Sequence, residues 1–227
     1  SVRVKGALHV ETESESPEEQ IVALCMENCT LTAVPDAGYT FDGWYDGPQE
    51  YGHLLSTEQI YEYVPLGPLR HIYAVFMPAE IQLDVLNTAN CYIAPELLRD
   101  YSFDATVQGN GCATLNIAPQ RLSGAYARLI WETGTQANSV ISSLGYDGSR
   151  IRFRTGTQQG NALIGLFDTW GECVWSWHIW VTDYNPESSS QKYSSGDIFM
   201  DRNLGAVGTD YTKVTACGLY YQWGRKD

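Results

Sequence analysis

The sequence predicts a mainly β protein, and three observations carry that prediction. Tyr, Trp and Gly are abundant, with 15 Tyr, 7 Trp and 21 Gly in 227 residues. Aromatic side chains suit pleated, half-buried surfaces, and glycine supplies the turns between strands. The apolar runs are short and end at Gly, Pro, Asn or Asp, which is strand-and-turn punctuation. Several runs alternate with period two, as in Arg150-Ile151-Arg152-Phe153-Arg154, so one face is solvated and the other buried.

Composition bounds the function classes. Apolar residues make up 44% of the chain and charged ones 18%, which allows a packed core and excludes bulk disorder. The chain has 27 acids against 14 bases, a net charge of −13. That balance repels phosphate backbones and anionic lipid surfaces, so neither nucleic acid nor a membrane surface is an expected partner. The longest apolar run, residues 173–181, falls well short of the ~20 residues needed to span a bilayer, and no membrane insertion is expected.

Charge also locates the seams. Residues 1–79 hold 12 acids and 3 bases, residues 80–183 hold 10 and 6, and residues 184–227 hold 5 of each. The first shift falls at Pro78, which cannot continue a sheet ladder; the second falls in the polar, turn-forming stretch 184–190. The expected organisation is a β module over 1–79, an antiparallel Ig-like β-sandwich over 80–183, and a C-terminal extension over 184–227. The extension reads as the start of a truncated domain. Ser1 is no initiator methionine and the aromatic run 218–227 ends abruptly, so the chain reads as an exported segment whose leader is absent.

In the first module, residues 2–10 pattern as one loose strand and residues 11–19 as an acidic linker. Residues 21–25 and 29–34 form a hairpin around the turn 26–28. Pro35-Asp36-Ala37-Gly38 is turn chemistry. Residues 39–44 form an aromatic strand ended by Asp46-Gly47-Pro48, and residues 72–76 close the module. Residues 57–63 fit a short helix or a strand equally well. Phe41, Trp44, Tyr73 and Phe76 are the expected anchors of a small core.

The run Leu31-Thr32-Ala33-Val34-Pro35-Asp36-Ala37-Gly38-Tyr39-Thr40-Phe41-Asp42-Gly43-Trp44, with Ile72-Tyr73-Ala74-Val75-Phe76 downstream, resembles the divergent internalin B-repeat family across nearly all of residues 1–79. The resemblance implies a small β-grasp-like module of bacterial surface proteins, used as a spacer or adhesion unit and without catalytic residues.

In the second region, strands are expected at 91–93, 101–107, 127–131, 140–144, 150–154, 162–167 and 173–182. Their turns include Gly109-Asn110-Gly111 and Gly145-Tyr146-Asp147-Gly148. This spacing favours a sandwich over alternating βα units. The wording of Asn90-Cys91-Tyr92-Ile93, of residues 175–183, of residues 199–206 and of residues 218–227 is similar to surface lipoproteins and fimbria-associated proteins of Bacteroides-type bacteria. The last two stretches resemble the opening of the major paralogous domain found in such proteins.

Few residues carry the spacing of a chemical site. The four histidines, His9, His53, His71 and His178, have no zinc-ligand spacing, and no serine lies in a G-x-S-x-G elbow. The acidic stretch 197–201 lacks a calcium-loop pattern. Six cysteines suit an oxidising compartment; Cys25 and Cys29 bridge if they flank a turn and cannot if they share a strand. No enzyme and no cofactor are therefore expected. On the strand 173–182, Trp175, Trp177, Ile179 and Val181 share a core face. His178 and Trp180 lie on the other, where with Trp170 and Tyr184 they form a candidate sugar-stacking platform. The favoured reading has residues 184–227 cover that face, with residues 197–223 folded back over His178 and Trp180. The expected function is a non-enzymatic cell-surface component, adhesive or fimbria-associated and held by other surface proteins. The alternative is a glycan-binding module of a nutrient-capture complex, taking host or dietary glycan.

Overall fold

Strands and turns account for almost all the regular structure in this computed structural model, which describes residues 1–5, 10–14, 18–24, 28–48, 51–65, 70–109 and 119–220. Among these residues the chain forms two units, 1–79 and 80–227.

The first unit contains β1 (Val2–Lys5), β2 (Val10–Ser14), β3 (Glu19–Leu24), β4 (Cys29–Ala33), β5 (Tyr39–Tyr45), β6 (Leu54–Ser56), β7 (Ile60–Tyr63) and β8 (Arg70–Pro78). One sheet has the order β1-β4-β7 and the other β2-β3-β8-β5-β6. Period two sets the core: Cys29, Leu31 and Ala33 of β4 meet Ile72, Ala74 and Phe76 of β8, with Trp44 and Tyr63. Trp44 is fully buried, and its indole N–H donates to the Glu58 carbonyl at 2.9 Å. The expected β-grasp-like module is thus built, among the described residues, from strands alone. Of the four expected anchors, Trp44 and Phe76 are buried, whereas Phe41 and Tyr73 are only partly so.

Four expectations change here. Residues 21–25 and 29–34 do not form a hairpin: β3 pairs with β2 and β8, β4 with β1 and β7, and the two strands lie in different sheets. Residues 2–10 are two strands in different sheets, not one. Residues 11–14 of the acidic linker belong to β2, which pairs with β3 from Val10↔Leu24 to Ser14↔Gln20. Glu11 and Glu13 alternate with Val10, Thr12 and Ser14, a strand period carried by polar residues that charge alone had disguised. Residues 60–63 are strand, paired with β4, which removes the helix alternative. The Cys25–Cys29 pairing turns on Cys25, which lies outside the described residues.

The second unit contains β9 (Ile81–Gln82), β10 (Cys91–Ala94), β11 (Asp100–Asp104), β12 (Tyr126–Glu132), β13 (Ile141–Tyr146), β14 (Arg150–Thr155), β15 (Gly160–Phe167), β16 (Cys173–Val181), β17 (Gln191–Lys192) and β18 (Ile198–Phe199). Two four-stranded sheets, β10-β16-β15-β12 and β13-β14-β11-β9, enclose a core that includes Tyr101, Phe103, Phe153, Ile164 and Trp177. This is the expected sandwich with one departure: β10 pairs with β16, and β9 with β11, in parallel. A parallel edge lets the first strand of a sheet lie beside its last without a hairpin between them.

Arg150, Arg152 and Arg154 leave the core face to Ile151 and Phe153 and pair with acids. Arg150 reaches Asp84 at 2.6 Å, Arg152 reaches Glu80 at 2.6 Å and Asp147 at 3.1 Å, and Arg154 reaches Asp100 at 2.6 Å. In β12 the register shifts between Leu129 and Trp131. That bulge exposes Ile130 and Trp131 and brings a Glu132 oxygen to accept from the Val140 and Ile141 N–H groups at 3.1 and 3.0 Å. Gly109 sits where a Cβ would lie 2.1 Å from the Ala89 backbone, so only glycine fits that approach; the rest of the expected turn, residues 110 and 111, lies outside the described residues.

Candidate functional site

Two of the candidate binding residues, His178 and Trp180, lie on the face of β16 turned away from the core. Register places Cys91 of β10 and Leu163 of β15 beside His178, and Ile93 and Asn161 beside Trp180. The inward neighbours Trp177, Ile179 and Val181 belong to the core, as the alternation requires.

The C-terminal extension lies on this face within the same unit. Tyr184 stacks on Trp180, with ring centroids 5.5 Å apart and planes 22° apart, and the Arg202 guanidinium sits 5.4 Å from the Tyr184 ring centre. Arg202 is held by Asp183 and Asp201, each at 2.8 Å. Gly205 approaches closely: its carbonyl accepts from Asn161 Nδ2 at 2.8 Å, its φ is +82°, and a Cβ there would lie 2.7 Å from the Leu219 side chain. Both the conformation and the contact demand glycine. Ala206 is buried beside it.

Trp180 is consequently 1% exposed and His178 9%, and Tyr184 is buried too. The candidate platform of Trp170, His178, Trp180 and Tyr184 is not formed as an open surface, because residues of the extension occupy it. Trp170 stands apart at 86% exposure, on a β15–β16 turn whose Asp168 carboxylate accepts from the Trp170 and Glu172 N–H groups, both at 2.9 Å. The cover itself differs from expectation: Ile198 and Phe199 of the β17–β18 hairpin and Tyr220 are exposed, while Tyr221 and Trp223 lie outside the described residues. What covers Trp180 is Tyr184 and the stretch around Gly205.

Beneath the cover runs a hydrogen-bonded chain of side chains. Cys91 Sγ lies 3.1 Å from His178 Nδ1, and His178 Nε2 lies 2.9 Å from Asn161 Oδ1. Cys91 is partly exposed, yet burial pushes its thiol up to about 11. Sequence reasoning singled out His178 but neither Cys91 nor Asn161, since the three are far apart in the chain and show no local spacing. Among the described residues no group of three or more His, Cys, Asp or Glu residues is placed to hold a metal ion, and no helix is long and apolar enough to cross a membrane.

Residues 17–61 match the model of the divergent InlB B-repeat domain. The match covers β3 through the start of β7 and stops before β8, the strand that joins β3 to β5 in the larger sheet. A bacterial repeat domain of this kind suggests a surface protein. No curated protein and no solved structure matches the chain.

Proposed function

We propose that this chain is a non-enzymatic component of a bacterial cell surface, adhesive or fimbria-associated, in which the repeat module spaces or attaches the sandwich. The match over residues 17–61 carries the reading. The wording of residues 90–93, 175–183, 199–206 and 218–227 supports its finer form, a Bacteroides-type surface protein with the opening of a major paralogous domain. Its partners are then other surface or fimbrial proteins. The glycan-binding alternative retains one exposed residue of its four, Trp170.

Protease treatment of intact producing cells tests the surface assignment. Peptides of this chain should be shed from intact cells in the same yield as after lysis. Protection until lysis would overturn it. Attachment of cells lacking the chain should fall if the role is adhesive, and unchanged attachment would leave the structural, fimbria-associated form.

A further inference from the structure

Cys91, His178 and Asn161 stand on three adjacent strands and on one face of their sheet. The protonation pattern of the chain they form follows from its far end. Asn161 Nδ2 donates to the Gly205 carbonyl at 2.8 Å, which leaves Oδ1 to accept from His178 Nε2–H at 2.9 Å. With its proton on Nε2, the imidazole presents the Nδ1 lone pair to Cys91 Sγ, 3.1 Å away, and the thiol donates. A carbonyl of the C-terminal extension thus orients the amide, and the amide sets the tautomer. A nucleophile beside a base, and a base held by a third group, is the arrangement that activates thiols and hydroxyls.

We propose that Cys91 is a His178-activated nucleophile that accepts an acyl group from a small activated ester or thioester, with Asn161 as the positioning residue. In the step, His178 Nδ1 takes the thiol proton as Sγ attacks the carbonyl carbon. The S–C bond forms, the bond from carbon to the leaving oxygen or sulfur breaks, and the proton passes from Nδ1 to the leaving group. The product is one S-acyl group on Cys91, a covalent capture that needs no turnover and so goes beyond the display role without depending on it. Burial disfavours a free thiolate at Cys91, so the proton handoff to His178 is the route by which the sulfur becomes nucleophilic, and the histidine's share of the rate is correspondingly large.

The test treats the intact chain with p-nitrophenyl acetate and locates the acetyl group by peptide mass spectrometry, with the exposed thiols Cys173 and Cys217 as internal references. Cys91 should acetylate faster than either. His178→Gln should slow Cys91 about 100-fold, the usual scale of general-base assistance, and leave Cys173 unchanged. Asn161→Ala should lose a smaller part of the rate and shift the pH–rate profile at Cys91, and Asn161→Gln, which keeps an acceptor for Nε2–H and a donor for the Gly205 carbonyl, should restore part of it. If His178→Gln melts the sandwich, the Asn161 pair decides by the same readouts. Acetylation of Cys91 no faster than of Cys173, or a Cys91 rate indifferent to these variants, would reduce the chain to a structural hydrogen-bond network and overturn the proposal.

Discussion

The repeat module and the sandwich solve one packing problem with different reserves. Among the described residues, the module gathers around Trp44 a short set of buried residues, most of them small or aliphatic; the sandwich gathers Tyr92, Tyr101, Phe103, Phe153 and Trp177 into contiguous ring contacts. Small cores bury a smaller share of their surface and stand closer to the unfolding threshold. The same truncation should therefore be fatal in one unit and tolerable in the other.

That contrast can be broken most directly at its two tryptophans. Trp44→Ala and Trp177→Ala should each cost about 3–5 kcal/mol. The first should abolish the melting transition of residues 1–79 while the sandwich still melts; the second should lower the sandwich midpoint without abolishing it. Coincident wild-type and Trp44→Ala melts would mean that Trp44 does not hold the module.

The cover over Trp180 sharpens the comparison next. Deleting residues 184–227 should expose Trp180, with a loss on the order of 2–3 kcal/mol for uncovering a large apolar side chain. Environment-sensitive dye binding or self-association should rise, and the melt of residues 1–79 should not move. Dye binding equal to that of the intact chain would show that the extension contributes no cover.

The sandwich also ties its face with ions. Burial alone would raise the Asp84 carboxyl, but the hydrogen bonds and charge of Arg150 outweigh it and hold it below its ordinary value. A carboxyl lowered on folding contributes stability that is fully present above its unfolded value, near 3.8, and is lost as pH falls through the lower folded value. Asp84→Asn should cost about 1.5–3 kcal/mol at neutral pH and flatten that acid-side loss, read from denaturant midpoints across pH. An unchanged slope would assign the acid sensitivity elsewhere.

The smallest effect is expected back in the module. Gly38 has a φ of +84° with nothing near a prospective Cβ, so Gly38→Ala adds backbone strain alone, about 1–2 kcal/mol. A neutral result would mean that the turn relaxes out of the left-handed region.

Most of the strands were legible because alternation is local. Arg150 to Arg154 announced both faces of β14, and Trp175 to Val181 announced which tryptophans enter the core. Strand β2 was hidden because its alternation is written in Glu, Thr and Ser, where charge reads as linker. Strands β6 and β9 were missed because runs this short carry no period to count. The site was less legible. Asn161 and His178 are 17 residues apart on neighbouring strands, but Cys91 and His178 are separated by 87 residues and meet only through a parallel edge pairing that no turn signals.

By itself, then, the sequence determined that the chain is β-built, which residues face a core and that Trp180 lies on the opposite side of β16. Each of these follows from backbone geometry acting over a few residues. Only the tertiary structure decided what lies on that opposite side. Period two marks a face as outward from its own sheet, but solvent and a second layer of chain are indistinguishable to it. Tyr184, Arg202 and Gly205 made the choice, closing the face over His178 and Trp180 and leaving Trp170 in water.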